Sequence, residues 1–457
     1  MSKSVLIIGG GIAGIEAALN LADYDFQVYL VDSFPTIGGL MARLDKTLPT
    51  NDCSICIEAP KMYDVQKNPN IHLLTNCEIR RVNDNAGIFK VRIVKKPRFI
   101  DEEKCKGCGK CSEVCPVSVP DEIDSKIGGH RKLIYIPFPQ AVPNYYLIHP
   151  DCRFGKMKNE GACVGGCIID CIQCRECPIA LCVKACKDEG GDAVMLWQRE
   201  ELIDLEVNSI IIASGLESFE PPYGLYGYGF YDNVITNLQY ERLMNAGGPT
   251  QGEIVRPSDG THAKRIAWVQ CVGREKRGSK SEPIPYCSKV CCMIATKQAI
   301  VTLEHESDVE AYVLYNHLQT YGKGFYEFYR RAKNLGVSYL KGKPSDVFED
   351  PKTKNLTIRF EDLDKGKVED LEIDLLVLST GLTPGNSNKR LSKILKVELD
   401  EDGFIREKNP VNAPFETNIN GIFVCGGAAG PIDISESVSQ AIGASMKAAL
   451  LRYQDES

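Results

Sequence analysis

The stretch Ser4-Val5-Leu6-Ile7-Ile8-Gly9-Gly10-Gly11-Ile12-Ala13-Gly14 decides the fold. Residues 4–9 are an unbroken apolar run suited to a parallel strand buried on both faces. The run leads into Gly9-x-Gly11-x-x-Gly14, a helical pattern over 15–22, and a second strand over 26–31 that ends at Asp32. Gly9 makes the tight turn, and Gly11 lets the backbone approach a pyrophosphate at the helix N-terminus. Gly14 allows close helix–strand packing, and Asp32 is placed to hydrogen-bond a ribose. A glycine triad alone is weak evidence. Strand, turn, helix, strand and acid in this order make a dinucleotide fingerprint.

Gly38-Gly39 follows Asp32 after a short loop, as in flavoproteins where the doublet lets the chain pass the FAD phosphates. Two strand-end signatures agree, Ile210-Ile211-Ile212-Ala213-Ser214-Gly215 and Leu376-Val377-Leu378-Ser379-Thr380-Gly381. Near the end stands Thr417-Asn418-Ile419-Asn420-Gly421-Ile422-Phe423-Val424-Cys425-Gly426-Gly427, similar to a flavoprotein block that normally closes with Asp. Gly427 replaces that Asp, which leaves backbone N–H groups before the final helix to reach the flavin. Together the blocks resemble an α/β, thioredoxin-reductase-like two-dinucleotide-binding flavoprotein that holds FAD, its FAD domain split around insertions.

Cys105-x2-Cys108-x2-Cys111-x3-Cys115-Pro116 has the spacing of a bacterial-type ferredoxin. Three close cysteines ligate one [4Fe–4S] cluster and the fourth reaches a second. Zinc usually takes Cys pairs far apart instead of four in one run. Gly107 and Gly109 let the backbone wrap around a cluster. Eight more cysteines follow. By spacing, Cys186 completes the set of Cys105, Cys108 and Cys111, and Cys115 joins Cys174, Cys177 and Cys182. Cys152, Cys163, Cys167 and Cys171 remain, enough for a further cluster or simply spare thiols in an expanded loop. A set built on Cys171, Cys174 and Cys177 before Pro178 stays open. The insertion is expected to be a ferredoxin-like α+β domain.

A pyridine-nucleotide reductase would open its second unit with another glycine triad. Here a strand over 265–269 runs into Gln270-Cys271-Val272-Gly273, and Pro285-Tyr286-Cys287-Ser288-Lys289-Val290-Cys291-Cys292 follows. Four cysteines stand where NAD(P)H would dock. A dithiol needs only two thiols, whereas a [4Fe–4S] cluster needs four. At least three clusters are expected in all, with thiols present for a fourth.

This combination resembles the A-type component of heterodisulfide reductase over nearly the whole chain. Supporting phrases are Phe34-Pro35-Thr36-Ile37, Thr50-Asn51-Asp52-Cys53-Ser54-Ile55-Cys56, the stretch from Tyr135 to Pro143, and Asp433-Ile434 through Gln440-Ala441. The chain begins at the FAD fingerprint and ends soon after the last flavin helix, so the resemblance is to a short form. Such a form is expected to lack the N-terminal cluster domain and the C-terminal ferredoxin domain of the methanogen versions. The resemblance implies that Lys297, on the helix after Cys292, lies near flavin N5 as the catalytic cation. It implies partners of the heterodisulfide reductase B and C type or a related oxidoreductase core. Ferredoxin, hydrogenase or formate dehydrogenase would be the electron donors or acceptors, and a homodimer would sit within a larger complex. Cys53 and Cys56 read as buried thiols, with a redox pair or a half-site completed by a partner as alternatives. Cys77 and Cys425 read as packing residues.

The chain has 457 residues, 43% hydrophobic and 25% charged, as in a globular protein of about three domains. The expected divisions are an FAD-binding part over 1–98, the iron–sulfur insertion over 99–195, an FAD-domain return over 196–260, a second Rossmann-like unit over 261–385, and a C-terminal FAD part over 386–457. A net charge of −7 gives nucleic acid no support. No apolar run spans a bilayer. The N-terminus reads as a strand, not as a signal peptide, so twenty cysteines point to a reducing cytoplasm, metal ligation and an anaerobic host. Two functions follow. One is an oxidoreductase subunit whose flavin bifurcates or confurcates electrons between protein partners, and the other is a plain electron relay. An NAD(P)H-dependent reductase of the glutamate-synthase small-subunit type is weaker, since the second glycine triad is missing.

Overall fold

A computed structural model of the chain describes residues 3–85, 87–149, 152, 181–274, 283–306 and 308–454. The N-terminal apolar run forms the strand Ser4–Ile8, buried throughout. It is the central strand of a five-stranded parallel sheet in the order Ile422–Val424, Ser209–Ile212, Ser4–Ile8, Gln27–Val31, Ile71–Leu74. Ile7 pairs with Ile211 on one side and Leu30 on the other. Both faces are covered, so the strand has no wet side and its sequence shows no alternation. On one face the helices Ile12–Asp23 and Ile434–Gln454 meet through Ala17, Ala18 and Leu21 against Ala441, Ala444 and Ala448. The other face packs on a three-stranded antiparallel ribbon, Glu201–Val207, Ile88–Lys95 and Cys77–Asn85, through Ile79, Phe89 and Val91. Cys77 and Cys425 are buried free thiols in these cores.

The ribbon carries the chain into the cysteine-rich insertion and back. The insertion's ends are tied together. The Asp101 N–H donates to the Ala193 carbonyl at 2.7 Å, and the Met195 N–H donates to Phe99 at 2.9 Å. Within it lie the helices Lys110–Glu113 and Leu181–Asp188 and two short hairpins, Ser118–Pro120 with His130–Lys132 and Ile134–Tyr135 with Leu147–Ile148. These enclose a small core of Phe99, Ile100, Val117, Leu133, Ile134 and Ile148.

A second five-stranded parallel sheet runs Val234–Thr236, Leu375–Thr380, Arg265–Val272, Glu310–Tyr315, Ser338–Lys341. Its order repeats that of the first, with Arg265–Val272 in the place of Ser4–Ile8. The sequence boundary at 261 does not coincide with this sheet. Val234–Thr236 pairs with Leu376–Leu378, and the helix Asn237–Met244 follows it, opened by a capping box between Thr236 and Gln239. These residues belong to the second unit because their apolar side chains find its core, Trp268 and Ala295 among it.

One buried group gives the fold a pH dependence. Glu58, on the helix Ser54–Lys67, is wholly buried. Neither of its carboxyl oxygens has a hydrogen-bond partner among the described residues, and burial raises its pKa well above 4.5. Between the ordinary and the raised value the folded chain keeps a proton that the unfolded chain has lost. Stability therefore falls as pH rises through that window, by about 1.4 kcal/mol per unit. We predict that Glu58→Gln, neutral at every pH, flattens this slope and raises the unfolding temperature at pH 8 relative to wild type. Parallel pH profiles for the two proteins would contradict the assignment.

Candidate functional site

The strand Ser4–Ile8 ends at Gly9, whose φ is +113°. A Cβ there would lie 2.2 Å from the Ala213 carbonyl oxygen. Gly11 caps the helix Ile12–Asp23 with no side chain in the way. The Asp32 carboxylate accepts from Gly10 N–H at 2.6 Å and from Phe34 N–H at 2.7 Å. Burial pushes its pKa up while these two N–H groups pull it down. Gly38 donates its N–H to the Gly10 carbonyl at 2.7 Å. Gly39, with φ +58°, leaves only 2.8 Å between its notional Cβ and the Gly11 Cα. Two glycine turns thus face each other with nothing but backbone between them.

They open onto a cavity of about 870 Å³, within the range of cofactor sites. Gly9, Gly11, Asp32, Gly39, Gly215 and Gly427 line it. Gly14 and Gly38 stand behind this wall, and Gly426 packs on Ala13 with its N–H held by the Gln440 side chain at 3.0 Å. Gly381 requires a correction. It follows Thr380, the last residue of a strand of the second sheet, packs against Ile284 and Ser288 and does not itself line the cavity, although its carbonyl accepts from the cavity-lining Phe219 N–H at 2.8 Å. The donor set suits an FAD pyrophosphate: backbone N–H groups at a helix N-terminus and an acid beyond the next strand. Arg43, unremarked in the sequence, also lines the cavity, its guanidinium 5.6 Å from the Phe34 ring centroid. Burial and Arg242 lower its pKa, while Asp121, Asp32 and Asp124 oppose that shift. Its spacing four residues after Gly39 was the available signal. The insertion also reaches the cavity through Glu122, Ser125 and Lys126. Arg242, which also lines the cavity, is bound by Asp124 of the insertion at 2.9 and 3.0 Å.

Cys105, Cys108, Cys111 and Cys186 converge on a second, small cavity of about 30 Å³. Gly107 and Gly109 make the turns between them with φ of +67° and +80°. Burial, then Cys105, Cys108 and Cys186, push the Cys111 thiol up to about 12. Bare thiols here would be neutral and crowded, so the set suits a metal cluster that takes thiolates. Cys115 and Cys182 are buried in the same core, and Cys152 sits at its edge. Cys163, Cys167, Cys171, Cys174 and Cys177 lie outside the described residues.

In the second sheet, Cys271, next to last in its strand, has φ +60°, and Gly273, just past the strand, has φ +96°. The helix Cys291–His305 begins at the paired cysteines. Burial, then Cys271 and Cys287, push the Cys292 thiol up to about 11. Cys291 is raised by burial and by the other three sulfurs. Cys271 and the pair Cys291–Cys292 thus bracket the position matching the first sheet's glycine turn. Lys297 does not line the cavity. It is 2% exposed, ion-paired to Glu241 at 2.7 Å, and donates to the Lys46 carbonyl at 2.7 Å. Glu241 also accepts from Asp45 N–H and Gln298. Cys53 and Cys56 are joined in a disulfide with Cys56 exposed, which corrects the expectation of buried thiols.

The family model for pyridine nucleotide-disulphide oxidoreductases matches residues 3–106 and 293–448, over half of the chain. The chain belongs to that family. A 4Fe-4S binding domain matches residues 98–121 of this oxidoreductase, which is an iron–sulfur flavoprotein. The iron-sulfur A-type component of CoB–CoM heterodisulfide reductase from Methanocaldococcus jannaschii is 46% identical to it, over 97% of this chain and 63% of the relative. The A-type component of the H2:CoB-CoM heterodisulfide,ferredoxin reductase from Methanothermobacter marburgensis is 44% identical, over 100% of this chain and 65% of the relative. The resemblance to this heterodisulfide reductase component is borne out, and the chain spans under two thirds of these relatives' length. A thioredoxin reductase from Lactococcus lactis superposes with a TM-score of 0.50 at 13% identity, covering 99% of this chain and 98% of that one, which shows the shared fold.

The two cysteine sites make separable predictions. Cys186→Ala and Cys291→Ala should each lose about four irons per chain, measured on anoxically purified protein, with the other site's electron paramagnetic resonance signal retained. Unchanged iron in Cys291→Ala would remove the cluster from the second sheet.

Proposed function

We propose that this oxidoreductase passes electrons between proteins through FAD and at least three [4Fe–4S] clusters, and that its flavin splits or combines electron pairs. Supporting this reading is one observation above all. The second sheet's central strand carries Cys271 near its end and the helix after it opens on Cys291 and Cys292, with Cys287 four residues ahead of that helix, where the first sheet carries its glycine turn. A reductase fed by a pyridine nucleotide needs that turn for the nucleotide's phosphates. FAD exchanges electrons in pairs or singly, while each cluster carries one. Gly9, Gly11, Gly39, Asp32, Arg43, Gly215 and Gly427 would hold the FAD. Cys105, Cys108, Cys111 and Cys186 would hold one cluster, Cys115, Cys174, Cys177 and Cys182 a second, and Cys271, Cys287, Cys291 and Cys292 a third.

The buried Lys297–Glu241 pair would act as a positioning element. Its residues fix Asp45 and Lys46, in the loop that runs on from the cavity-lining Arg43 and Leu44. The Methanothermobacter relative is named for hydrogen, a heterodisulfide and ferredoxin. Partners of the heterodisulfide reductase B and C type, with a ferredoxin, hydrogenase or formate dehydrogenase as electron source or sink, fit a chain of this kind, as does a homodimer in a larger complex. Among the described residues no helix is long and apolar enough to cross a membrane.

NADH or NADPH alone should leave the flavin of the purified chain oxidised, whereas a reduced low-potential ferredoxin should bleach it. Rapid bleaching by either nucleotide would overturn the reading of Cys271 to Cys292.

A further inference from the structure

We propose that Lys289 and Glu436 are positioning residues for electron transfer, a bridge that fixes the cluster site of Cys271, Cys287, Cys291 and Cys292 against the dinucleotide cavity. The proposal rests on the FAD and cluster reading above and adds to it the two side chains that join the sites. Three contacts run from a sulfur of one site to the wall of the other. The Lys289 N–H donates to Cys287 Sγ at 3.4 Å. The Lys289 ammonium donates to Glu436 Oε1 at 2.6 Å. The other carboxylate oxygen, Oε2, accepts the Asp433 N–H at 3.0 Å, and Asp433 lines the cavity together with Ile434 and Ser437.

Both ends of the bridge are held. Asp433 and Glu436 form a capping box, since the Glu436 N–H returns to Asp433 Oδ1 at 2.8 Å. They open the helix Ile434–Gln454, and one turn further on Gln440 holds the Gly426 N–H at 3.0 Å. A shift of this helix start would carry Gly426 and the cavity-lining Gly427 with it. At the other end Lys289 has φ +53°, a conformation that a lysine keeps only where its surroundings impose it. Its neighbours are tied down. Ser288 Oγ accepts the Leu382 N–H at 2.8 Å, and the Tyr286 hydroxyl donates to the Leu382 carbonyl at 2.9 Å. The Lys289 ammonium also lies 5.2 Å from the Tyr321 ring centroid. The paired side chains are 28% and 31% exposed. An ion pair so open to water adds little to stability, so holding the fold together is a poor account of it. What it fixes is the placement of one site against the other. One electron leaves the reduced cluster and one enters the flavin, so the transfer balances without a further reactant. Its rate depends on how closely the two groups are held.

The test uses the cofactor-loaded chain without oxygen. A laser flash with deazaflavin injects one electron per chain, and flavin and iron–sulfur absorbance follow its redistribution. The phase that disappears in Cys291→Ala is the transfer between the second sheet's cluster and the flavin. Lys289→Gln and Glu436→Gln should each slow that phase at least roughly tenfold. Glutamine at 436 keeps the capping box and removes only the charge. The double variant should be no slower than the slower single, since all three lose the same contact. Lys289→Arg should restore most of the rate. FAD and iron per chain should match wild type in every bridge variant. Unchanged rates in both glutamine variants, or losses that add in the double variant, overturn the proposal. So does iron or FAD lost from Glu436→Gln, which would make the pair a brace for a cofactor and not a positioning bridge. A Cys291-dependent cluster that exchanges no electron with the flavin overturns the bridge alone. Full iron in Cys291→Ala overturns the cluster reading, and the bridge with it.

Discussion

The Gly9 carbonyl oxygen occupies the space that a side chain on Gly14 would need. A Cβ at residue 14 would lie 1.8 Å from it. That contact lets the helix Ile12–Asp23 close onto the end of the strand Ser4–Ile8. The helix N-terminus and the bare N–H groups of the turn then face the cavity, with Gly39 pressed against Gly11 on the far side and Asp32 holding Gly10. No side chain intervenes, so the turn presents a concentrated positive dipole to a pyrophosphate. The charge-assisted bonds from Gly10 and Phe34 to Asp32, each worth about 1.5–3 kcal/mol, keep the turn from relaxing.

The second sheet repeats the strand order but not this contact. Its central strand carries Cys271, with a positive φ, one residue before its end, and its helix opens on Cys291 and Cys292. A phosphate cradle needs small residues and free N–H groups, whereas a cluster site needs sulfur atoms converging on one point. The same sheet position serves either purpose because strand end and helix start meet there in both units. Meanwhile the insertion supplies Glu122, Ser125 and Lys126 to the dinucleotide cavity, and its Asp124 holds the cavity-lining Arg242. The ferredoxin-like segment is therefore part of the cofactor site's wall.

The first unit was legible because its signals are local: an apolar strand, glycines at fixed offsets and an acid after the next strand. The convergence of Cys105, Cys108, Cys111 and Cys186 was legible from spacing alone. What failed depended on contacts far apart in the chain. Val234–Thr236 is a three-residue strand whose sheet only its register with Leu376–Leu378 reveals. Gly381 follows a strand patterned like that of Gly215, and sequence does not say which sheet each joins. Sequence also did not give Lys297 its partner Glu241, which lies 56 positions earlier in the chain (297 − 241). Cys56 looked buried because free cysteine usually is, but it falls on the outer face of its helix.

The central claim is that this flavin handles electron pairs between one-electron carriers. Its most direct test is an anoxic spectroelectrochemical titration of the FAD in the cluster-loaded chain, resolving the first and second one-electron potentials. The account predicts inverted order, with the first electron entering at a markedly lower potential than the second. A first potential at or above the second would contradict it and leave a simple relay.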